Sequence, residues 1–323
     1  MNNRANDGTP TFVSRRVLTI IVNYKTPDLS IKSYRSALAQ MDEGDIMIVD
    51  NDSADGSVQK IAEAIESDGV GDRVQVLASD FNGGFGYGNN FAIRRGLAAS
   101  PPYDYFYLLN SDAFPEDGAI STLVDFLERR PEAGIVGSSI HGVDGTPHDT
   151  AFRFPTAAGE FESTLRLGVV SRLLKQYVVS MGFPEDVTQV DWLAGCSMML
   201  RRRVLEEIGL FDETFFLYFE ETDLCMRARR QGWLTYYVPQ SRVAHVGSAS
   251  TGIQNLQRRT PRYWFDSREH YFRKNYGDSY LWTANAAWIV GQAVWSVRRK
   301  IQRKPKADAP KIMEDFVRHM VRR

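Results

Sequence analysis

The chain of 323 residues can bury a sizeable core, either as one large domain or as a domain with an appendage. Its composition, 43% hydrophobic and 24% charged, is ordinary for a soluble protein. The formal net charge of -1 conceals an asymmetry, because residues 296–323 carry a net charge of +7 and the remainder carries -8. The basic tail therefore predicts an anionic surface as its partner.

Cysteine content and the length of apolar runs exclude several classes of protein. The two cysteines, Cys196 and Cys225, lack a C-x-x-C spacing, which argues against a disulfide scaffold or a cysteine-based zinc site. Residues 1–16 contain no apolar segment of the kind that a signal peptide needs, and no run of about 20 apolar residues could span a bilayer. We therefore expect a cytoplasmic protein whose residues 1–15 are disordered.

From residue 16 onward, strand and helix patterns alternate. The apolar, β-branched run 16–24 predicts a strand buried on both faces, and a helix is predicted to follow from Pro27. Further strands are predicted at 45–51, 73–79, 105–110 and 133–139, with helices at 56–66, 90–99 and 120–127. Strands that alternate with helices at this rhythm indicate β-α-β units, so the predicted fold class is α/β with a mostly parallel sheet.

Three of the predicted strands end in polar residues. These ends are Asn23-Tyr24, Asp50-Asn51-Asp52 and Asn110-Ser111-Asp112. Because Asn, Ser and Asp also form turns, chain reversal alone explains any single one of them. In parallel sheets, however, ligands bind beyond the carboxyl ends of the strands. Three polar ends on one edge therefore predict a binding site.

A glycine-rich stretch, residues 80–93, follows the third predicted strand. It lacks the glycine spacing of a dinucleotide-binding fingerprint, since Asn89 stands where the third glycine would be. The stretch is either a flexible turn or a loop that brings backbone amides, and the start of the next helix, close to a phosphate. Asn82, Asn89 and Asn90 beside the glycines favour contact with a ligand.

An acidic cluster, Glu220, Glu221 and Asp223, begins a helix that is predicted to end near Gly232. Acidic residues in a first turn are expected from the helix dipole alone. Four aromatic residues precede the cluster, namely Phe215, Phe216, Tyr218 and Phe219. Carboxylates among aromatic rings are partly desolvated, which raises their pKa values and suits a general base. A further strand is predicted within residues 237–250, and His245 in this segment is a candidate metal ligand if another ligand faces it.

In their order, these segments resemble those of family-2 glycosyltransferases of the GT-A fold, in particular the bacterial rhamnosyltransferase-like subgroup. The resemblance covers Arg16 to Thr251 and rests on the blocks VNYKTPD, VDNDSADGS, NGGFGYGNN, LLNSDAFP, DWLAGCSMMLRR, FFLYFEETDLCMRARRQGW and AHVGSAS. It implies a GT-A catalytic domain over residues 16–255, with a Rossmann-like sheet flanked by helices. A helical, aromatic and basic extension over residues 256–323 is expected to follow.

The resemblance also implies roles on the donor side. Residues 110–112 stand where the family has its D-x-D motif, so Asp112 is expected to coordinate Mg²⁺ or Mn²⁺ under the diphosphate of a nucleotide sugar, and His245 to complete the metal site. Asn110 replaces the first acid and is expected to hydrogen-bond ribose or sugar. The expected donor-side residues, which include a wall for a uridine or thymidine base, are Tyr24, Asp50, Asn51, Asp52, Asn82, Gly84, Phe85, Asn89, Asn110, Ser111 and Asp112.

On the acceptor side, Glu220 and Glu221 match the acidic pair whose second member is the catalytic base. We therefore assign the base to Glu221, with Asp223 as the alternative. Glu220, Asp223, Trp192 and Gly195 are expected on the acceptor side. The resemblance implies inverting transfer of a sugar, with L-rhamnose as the subgroup's donor, to a hydroxyl of a glycan or lipid-linked acceptor in polysaccharide synthesis.

Two other functions are compatible with parts of the sequence. A sugar nucleotidyltransferase shares this kind of sheet but needs a glycine-rich basic loop after the first strand, which residues 22–28 do not supply. A non-catalytic nucleotide-sugar-binding relative is the other alternative. The presence of Asp112, Glu221 and His245 together argues against it, and Asn110 argues for it.

The last part of the chain allows two interpretations. Trp282, Trp288 and Trp295 lie in a moderately apolar predicted helix that a basic cluster follows. This pattern is typical of an interfacial anchor, which would place the protein at the inner face of the cytoplasmic membrane. It is equally the pattern of a helix that packs on the catalytic domain with a solvated basic end. Because no recognised nucleic-acid module accompanies the charge, we expect no nucleic-acid partner.

Overall fold

A computed structural model of the chain describes residues 15–41, 43–247, 258–305 and 308–321. The predictions for residues 1–14, for the small residues 248–251 and for the domain boundary at residue 255 lie outside these ranges. Within them the chain forms twelve strands and eleven α-helices.

The elements follow one another along the chain in the α/β pattern. The strands are β1 (Val17–Asn23), β2 (Gly44–Asp50), β3 (Val74–Ala78), β4 (Tyr105–Asn110), β5 (Ala113–Pro115), β6 (Ala133–His141), β7 (Pro147–His148), β8 (Ala151–Phe152), β9 (Thr188–Val190), β10 (Trp192–Leu193), β11 (Ser197–Arg201) and β12 (Leu234–His245). The helices are α1 (Pro27–Leu38), α2 (Ser57–Asp68), α3 (Gly84–Ala98), α4 (Ala119–Arg129), α5 (Ala157–Leu165), α6 (Gly168–Leu173), α7 (Arg202–Ile208), α8 (Glu220–Arg230), α9 (Arg262–Tyr276), α10 (Asp278–Ile301) and α11 (Ile312–Val321).

Ten of the strands form one sheet. Its order is β3-β2-β1-β4-β11-β6-β12-β5, with β7 beside β6 and β9 beside β12. The strands β3, β2, β1 and β4 run parallel, and β12 runs parallel to β6. The strand β11 lies antiparallel between β4 and β6. The mostly parallel sheet of the predicted α/β class is thus confirmed.

Helices cover the sheet on both faces, because alternate side chains of its central strands enter two separate cores. Leu18 and Ile20 of β1 pack with residues of α3, α7, α8, α9 and α10. Val17 and Ile21 of the same strand pack with residues of α1, α2 and α4. The unbroken apolar run of β1 is therefore buried on both faces, as predicted.

The third helix begins earlier than the sequence patterns predict. It starts at Gly84 rather than at Asn90, so most of the glycine-rich stretch is helical and is not a flexible turn. Glycine weakens a helix by about 1 kcal/mol per residue relative to alanine, but here it allows close packing. A Cβ atom on Gly84 would overlap the carbonyl of Phe216, and one on Gly88 would lie 2.7 Å from Val22 Cγ1.

The helices after residue 261 pack on the α/β body formed by the preceding elements. Tyr271 of α9 and Leu281 of α10 belong to the core beneath the sheet. Arg268 of α9 is 2% exposed, and its guanidinium donates to Glu160 Oε2 of α5 at 2.9 Å and to Asn285 Oδ1 of α10 at 2.7 Å. One of the two interpretations of the tail, a helix packed on the body, is therefore correct for the inward face of α10.

Candidate active site

The polar ends of three strands lie side by side, as predicted. The register of β1 aligns Asn23 with Asp50 of β2, and its pairing with β4 extends to Asn110. The Thr26 hydroxyl, just after β1, lies 3.0 Å from the hydroxyl of Ser111, just after β4. Residues from three strand ends therefore meet at one edge of the sheet, where α/β proteins bind ligands.

Asp50 supports this edge from within the protein rather than from its surface. It is 3% exposed, and its carboxylate accepts hydrogen bonds from Asn23 Nδ2 at 2.6 Å and from the Ser53 hydroxyl at 2.6 Å. Its oxygens accept hydrogen bonds from the protein, and the expected donor contact of Asp50 stays a prediction. Tyr24 is half-buried and Asp52 is exposed beside it, so both retain surface that a ligand can reach.

Asn51 likewise organises the glycine-rich segment instead of facing a base. Its buried amide donates to Asn82 Oδ1 and to the Gly84 carbonyl, each at 3.0 Å. The Asn82 oxygen also accepts from the Gly84 N–H at 3.1 Å. The next amide, that of Phe85, donates to the Phe216 carbonyl at 3.2 Å. The start of α3 is thus fixed between the end of β2 and the loop that precedes α8.

Asn89 and Asn90 are not available for the ligand contact that the sequence suggests. Asn89 is 1% exposed and donates to the Phe85 carbonyl one turn earlier, at 2.9 Å. Asn90 has no exposed surface; its amide donates to the Phe211 carbonyl and to Glu213 Oε1, and its oxygen accepts from the Phe211 N–H. Both residues lie inside α3, so their amides stabilise packing.

Asp112 and His245 face each other across the pairing of β5 with β12. The antiparallel register places His245 opposite Ala113, which follows Asp112 in the chain. Asp112 Oδ1 lies 3.0 Å from His245 Nε2, and Asn110 Nδ2 lies 3.4 Å from the same nitrogen. The condition stated for a metal ligand, a second ligand facing the histidine, is met.

The chemistry and spacing of this pair suit a divalent cation. Burial opposes the charge on the imidazole, but the neighbouring Cys196 and the hydrogen bond to Asp112 raise the pKa of His245 to about 10. This shift favours the protonated ring, so a cation bound here would have to displace that proton. Two adjacent ligands of an octahedral ion with bonds of about 2.1 Å lie about 3.0 Å apart, which matches the observed 3.0 Å. Within the described ranges no cluster of three His, Cys, Asp or Glu side chains is found, so donor oxygens or water would have to complete the coordination.

Glu221, the predicted base, is half-buried in the first turn of α8 and lines a cleft of about 400 Å³. Its Oε1 accepts a hydrogen bond from the Gly195 N–H at 3.1 Å. A Cβ atom at position 195 would lie 2.6 Å from this oxygen, so glycine allows the contact. Most other residues of the cleft wall are apolar or aromatic, namely Phe152, Pro155, Val179, Trp192, Ala194, Tyr218, Phe219 and Trp264.

The two neighbouring glutamates both have raised pKa values. Burial raises the pKa of Glu221, and hydrogen bonds from its own N–H and that of Gly195 partly oppose this shift. Burial, followed by the charge of Glu221, raises the pKa of Glu220 well above its usual range. Glu220 is 1% exposed, and its Oε2 has no hydrogen-bond partner among the described residues. Glu220 is therefore the member of the pair that keeps its proton to the higher pH, and burial of both acids agrees with the predicted desolvation.

Asp223 does not lie on the acceptor side, which corrects the prediction. It has no exposed surface, and its carboxylate accepts hydrogen bonds from Arg227 Nε and Lys274 Nζ at 2.8 Å each and from Asn275 Nδ2 at 3.2 Å. Residues two apart on an α-helix point about 200° away from each other, so Asp223 and Glu221 occupy different faces of α8. Asp223 therefore ties α8 to α9.

Two consecutive residues join the metal-side pair to the base. The Gly195 N–H binds Glu221, and the Cys196 carbonyl accepts a hydrogen bond from the Asn110 N–H at 3.0 Å. The Cys196 side chain also contacts His245. Because neighbouring Cα atoms are about 3.8 Å apart, the two halves of the site lie against one dipeptide.

The cleft also contains residues that sequence patterns did not identify. Trp192, predicted for the acceptor side, stacks on Phe152 with ring centroids 4.3 Å apart, and its indole N–H donates to the Arg153 carbonyl at 2.9 Å. Phe152 comes from β8, which lies in the chain between two of the recognised motifs, and Trp264 comes from α9, which follows the last of them. For Trp264 the available signal was the aromatic composition of the predicted extension, residues 256–323. No sequence signal pointed to Phe152.

Two solved structures share this architecture. The mannosyltransferase PcManGT from Pyrobaculum calidifontis, in complex with GDP-Man and Mn²⁺, aligns with 95% of this chain and 81% of its own, with a TM-score of 0.59 and 14% identity. GalNAc-T7 with UDP, GalNAc and Mn²⁺ aligns with 96% of this chain and 55% of its own, with a TM-score of 0.59 and 13% identity. The fold is GT-A, as predicted.

Sequence comparison gives the family within this class. The model of the family described as glycosyltransferase like family 2 matches residues 15–277, and the chain belongs to this family. Over 252 residues it is 27% identical to N-acetylglucosaminyl-diphospho-decaprenol L-rhamnosyltransferase of Mycobacterium tuberculosis, with 73% of this chain and 78% of the relative covered. Rhamnosyltransferase WbbL of Escherichia coli is 27% identical over 50% of this chain and 60% of its own. The low-salt glycan biosynthesis hexosyltransferase Agl10 of Haloferax volcanii is 28% identical over 66% of this chain and 61% of its own.

These relatives confirm the predicted likeness to rhamnosyltransferases. The activity of the protein is glycosyl transfer, as family and relatives agree. The alternatives of a nucleotidyltransferase and of a non-catalytic relative are not favoured.

Proposed function

We propose that the protein is an inverting, metal-dependent glycosyltransferase that moves a hexose, with L-rhamnose the first candidate, from a nucleoside-diphosphate sugar to a hydroxyl of a lipid-linked glycan. One observation carries the proposal. A desolvated carboxylate, Glu221, and the facing pair Asp112 and His245, to which we assign the cation, lie against the same dipeptide, Gly195 and Cys196. A base on one side and a site for a leaving diphosphate on the other are what displacement at an anomeric carbon requires.

The reaction follows from this placement. The bond between the anomeric carbon and the diphosphate oxygen breaks while the acceptor oxygen bonds to the same carbon from the opposite side, which inverts its configuration. Glu221 takes the proton of the attacking hydroxyl. A divalent cation held by Asp112 and His245 would offset the negative charge on the departing diphosphate. Holding both substrates at one edge of the sheet lowers the entropic cost of their encounter.

Donor contacts are proposed for residues that keep accessible polar or aromatic surface at this edge. They are Tyr24, Asp52, Asn82, Phe85 and Asn110. Ser111 is 4% exposed, and a donor contact is proposed for it because its hydroxyl lies beside that of Thr26 between the strand ends. Asn110 adds no charge, so Asp112 is the one carboxylate of the 110–112 segment that can serve a cation. The solved relatives with bound GDP-Man or UDP and Mn²⁺ support a nucleotide sugar and a divalent metal for this chain as well.

The proposed acceptor is a sugar carried on a lipid diphosphate. The Mycobacterium tuberculosis relative is named for such a substrate, N-acetylglucosaminyl-diphospho-decaprenol, and for the transfer of L-rhamnose. The aromatic wall of the cleft, in which Trp192 stacks on Phe152, offers a flat apolar surface to a sugar ring beside Glu221.

The first test is a donor screen with the full chain. Purified protein is incubated with N-acetylglucosaminyl-diphospho-lipid and a panel of nucleotide sugars in Mn²⁺ or Mg²⁺, and release of nucleoside diphosphate is followed. We expect release with one donor, highest for dTDP-L-rhamnose, and its loss on addition of EDTA. Turnover that is unchanged in EDTA would remove the metal from the proposal. Absence of both turnover and nucleotide-sugar binding would overturn the transferase assignment.

The base is tested with a matched pair of substitutions. Glu221→Gln removes the proton acceptor, so kcat should fall by roughly 10²- to 10⁴-fold. Glu220→Gln replaces a neutral carboxyl by a neutral amide of nearly the same shape, so kcat should stay within a few-fold of the parent at pH 7. Full turnover of the Glu221→Gln variant would contradict the assignment, as would an equal loss in both variants.

A further inference from the structure

The outward face of α10 is apolar along almost its whole length. Side chains three or four positions apart line one face of a helix. The exposed residues on this face are Trp282, Thr283, Ala286, Val290, Ala293, Val294, Val297 and Ile301. Trp282 and Val297 keep 61% and 59% of their surface, respectively. Between Asp278 and Arg298 the helix contains no charged residue. Its solvent-facing surface therefore has the apolar composition that is usual for a buried helix.

Packing of α10 on the body does not explain this face. The opposite side of the helix, with Leu281, Trp288 and Trp295, is buried. Gly291 brings that side directly against α5, since a Cβ atom there would overlap Thr164. The inward face of α10 is therefore buried in the core, and its outward face contacts either solvent or a partner.

Other surface helices of the chain show the usual pattern. The exposed positions of α9 include Arg262, Asp266 and Lys274. Those of α2 include Lys60 and Glu63. Exposed apolar residues normally occur singly, whereas a contiguous apolar stripe marks an interaction site. The composition of the outward face of α10 is thus a local property and not a property of the whole surface.

The stripe ends in positive charge. Lys300, Arg303 and Lys304, at and just after the end of α10, are exposed. Within the described ranges no helix is both long and apolar enough to cross a membrane. From Trp282 to Ile301 the stripe extends about 28 Å at 1.5 Å per residue, which is enough for a helix to lie along a membrane surface.

The neighbouring helix α6 extends the same character. Arg166, one residue before the turn into α6, binds Asp308 and lies over the Trp295 ring, and its carbonyl accepts a hydrogen bond from Arg298. The short helix that follows exposes Val169 and Leu173. Apolar and basic side chains thus continue beyond α10 at its carboxyl end.

We propose that the outward face of α10, with its basic end, lies in the headgroup region of an anionic lipid bilayer. An apolar stripe with a tryptophan near one end and cations at the other is the pattern of a helix that lies in a membrane interface. The cations Lys300, Arg303 and Lys304 favour an anionic lipid surface over a neutral one. They also disfavour a second copy of this face, because that copy would carry the same positive charge. This inference concerns binding and does not depend on the proposed reaction.

The test is vesicle flotation of the full chain with phosphatidylglycerol-phosphatidylcholine vesicles and with pure phosphatidylcholine vesicles. We expect binding to the anionic vesicles that weakens in 0.5 M salt, and little binding to the neutral ones. The double variant Val294→Asp/Val297→Asp removes the apolar stripe, and Lys300→Glu/Lys304→Glu reverses the basic end. Each should weaken partition by roughly tenfold or more.

Matched controls carry the same chemical change elsewhere on the surface. Val143→Asp alters a valine that is 73% exposed in the turn between β6 and β7, and Arg129→Glu reverses an exposed charge on α4. Both controls should bind vesicles like the parent. Circular dichroism verifies that all variants are folded, and sugar transfer is measured separately, so failure of binding and failure of catalysis are distinguished.

Three outcomes would overturn the proposal. One is absence of binding to anionic vesicles by the parent chain. Another is equal loss of binding in the Val143→Asp control and in the Val294→Asp/Val297→Asp variant. The third is a parent chain that is dimeric by light scattering and does not bind vesicles, with the Val294→Asp/Val297→Asp variant monomeric. In that case the face would be an interface between two copies of the chain.

Discussion

At the scale of single residues, two adjacent glutamates acquire different functions from different surroundings. Glu220 is enclosed beside Gly86 at the start of α3, and its Oε2 has no hydrogen-bond partner among the described residues. Glu221 lies at the cleft and keeps one backbone hydrogen bond, from Gly195, that favours its ionised form. The pKa of Glu220 is therefore raised well above its usual range, and that of Glu221 is raised with two backbone hydrogen bonds opposing the shift. Glu221 is the member of the pair that ionises more readily and can accept a proton.

The raised pKa of Glu221 predicts the pH dependence of the reaction. The carboxyl remains protonated to a higher pH than an ordinary glutamate, whose pKa is 4.5. Since the base acts only when ionised, kcat/KM should be constant at high pH and should fall as the pH drops through a midpoint above 4.5. Initial rates between pH 5 and 9 measure this midpoint.

A metal titration separates this effect from protonation of the metal ligands. If protons compete with the cation at His245, the midpoint moves to lower pH as the metal concentration rises. A midpoint set by Glu221 does not move under saturating metal. A profile without any acid limb above pH 4.5 would contradict the assignment of a desolvated base.

Sequence patterns identified candidate site residues by their side-chain chemistry and by their position at the end of a strand. Asp112 and His245 could be placed together because the family resemblance supplies both. The patterns could not distinguish them from Asp50, Asn51 and Asp223, which have the same polar character but whose side chains are engaged in hydrogen bonds within the protein. Whether a carboxylate faces a cleft or an ion pair within the core depends on neighbours that are distant in the chain, such as Lys274 for Asp223.

At the scale of elements, α3 shows glycine acting as a packing residue. Its predicted start was late because glycine has a low helix propensity, and the close contacts that offset this cost involve Phe216, more than 120 residues away. Local sequence carries no information about such contacts. The first turn of α3 and the loop before α8 are consequently in backbone contact, on the side of the protein where Glu221 lies.

A substitution at Gly84 tests this contact. Gly84 has a φ of +86°, and a Cβ atom would overlap the Phe216 carbonyl. Gly84→Ala should therefore destabilise the protein by about 1–3 kcal/mol and lower kcat/KM, because the loop before α8 must shift. Gly168→Ala is the control, since no heavy atom lies within 4 Å of its Cβ position. Urea unfolding measures both variants, and equal midpoints for Gly84→Ala and the parent would refute the packing role.

At the scale of the whole molecule, the alternating pattern of strands and helices was sufficient to predict the α/β class and the parallel half of the sheet. The region 142–187 was not predicted, because its elements are short: β7 and β8 have two residues each. Such strands form only when tertiary contacts support them. Without the same contacts, the pattern could not show that α9 and α10 complete the core of the catalytic body.

Arg268 tests how firmly the C-terminal helices are joined to this body. Its guanidinium, 2% exposed, connects Glu160 of α5 with Asn285 of α10. Arg268→Ala leaves the half-buried Glu160 carboxylate without this partner, removes a buried guanidinium and should lower the free energy of unfolding by about 3–5 kcal/mol. The control Arg262→Ala removes an exposed pair with Asp266 and should change it by less than about 0.5 kcal/mol. Similar unfolding midpoints for the two variants would show that the C-terminal helices are only loosely attached.

The dipeptide Gly195–Cys196 directly precedes β11, the strand that lies antiparallel between β4 and β6. A slip of one residue in the pairing of β11 would turn every side chain of that strand to the other face. The same slip would displace the Gly195 amide, which donates to Glu221, and the Cys196 carbonyl, which accepts from Asn110. Misfolded copies would thus lose the acceptor half and the donor half together. A copy with a slipped β11 would therefore be inactive. It would not keep a donor half that hydrolyses activated sugar without transferring it.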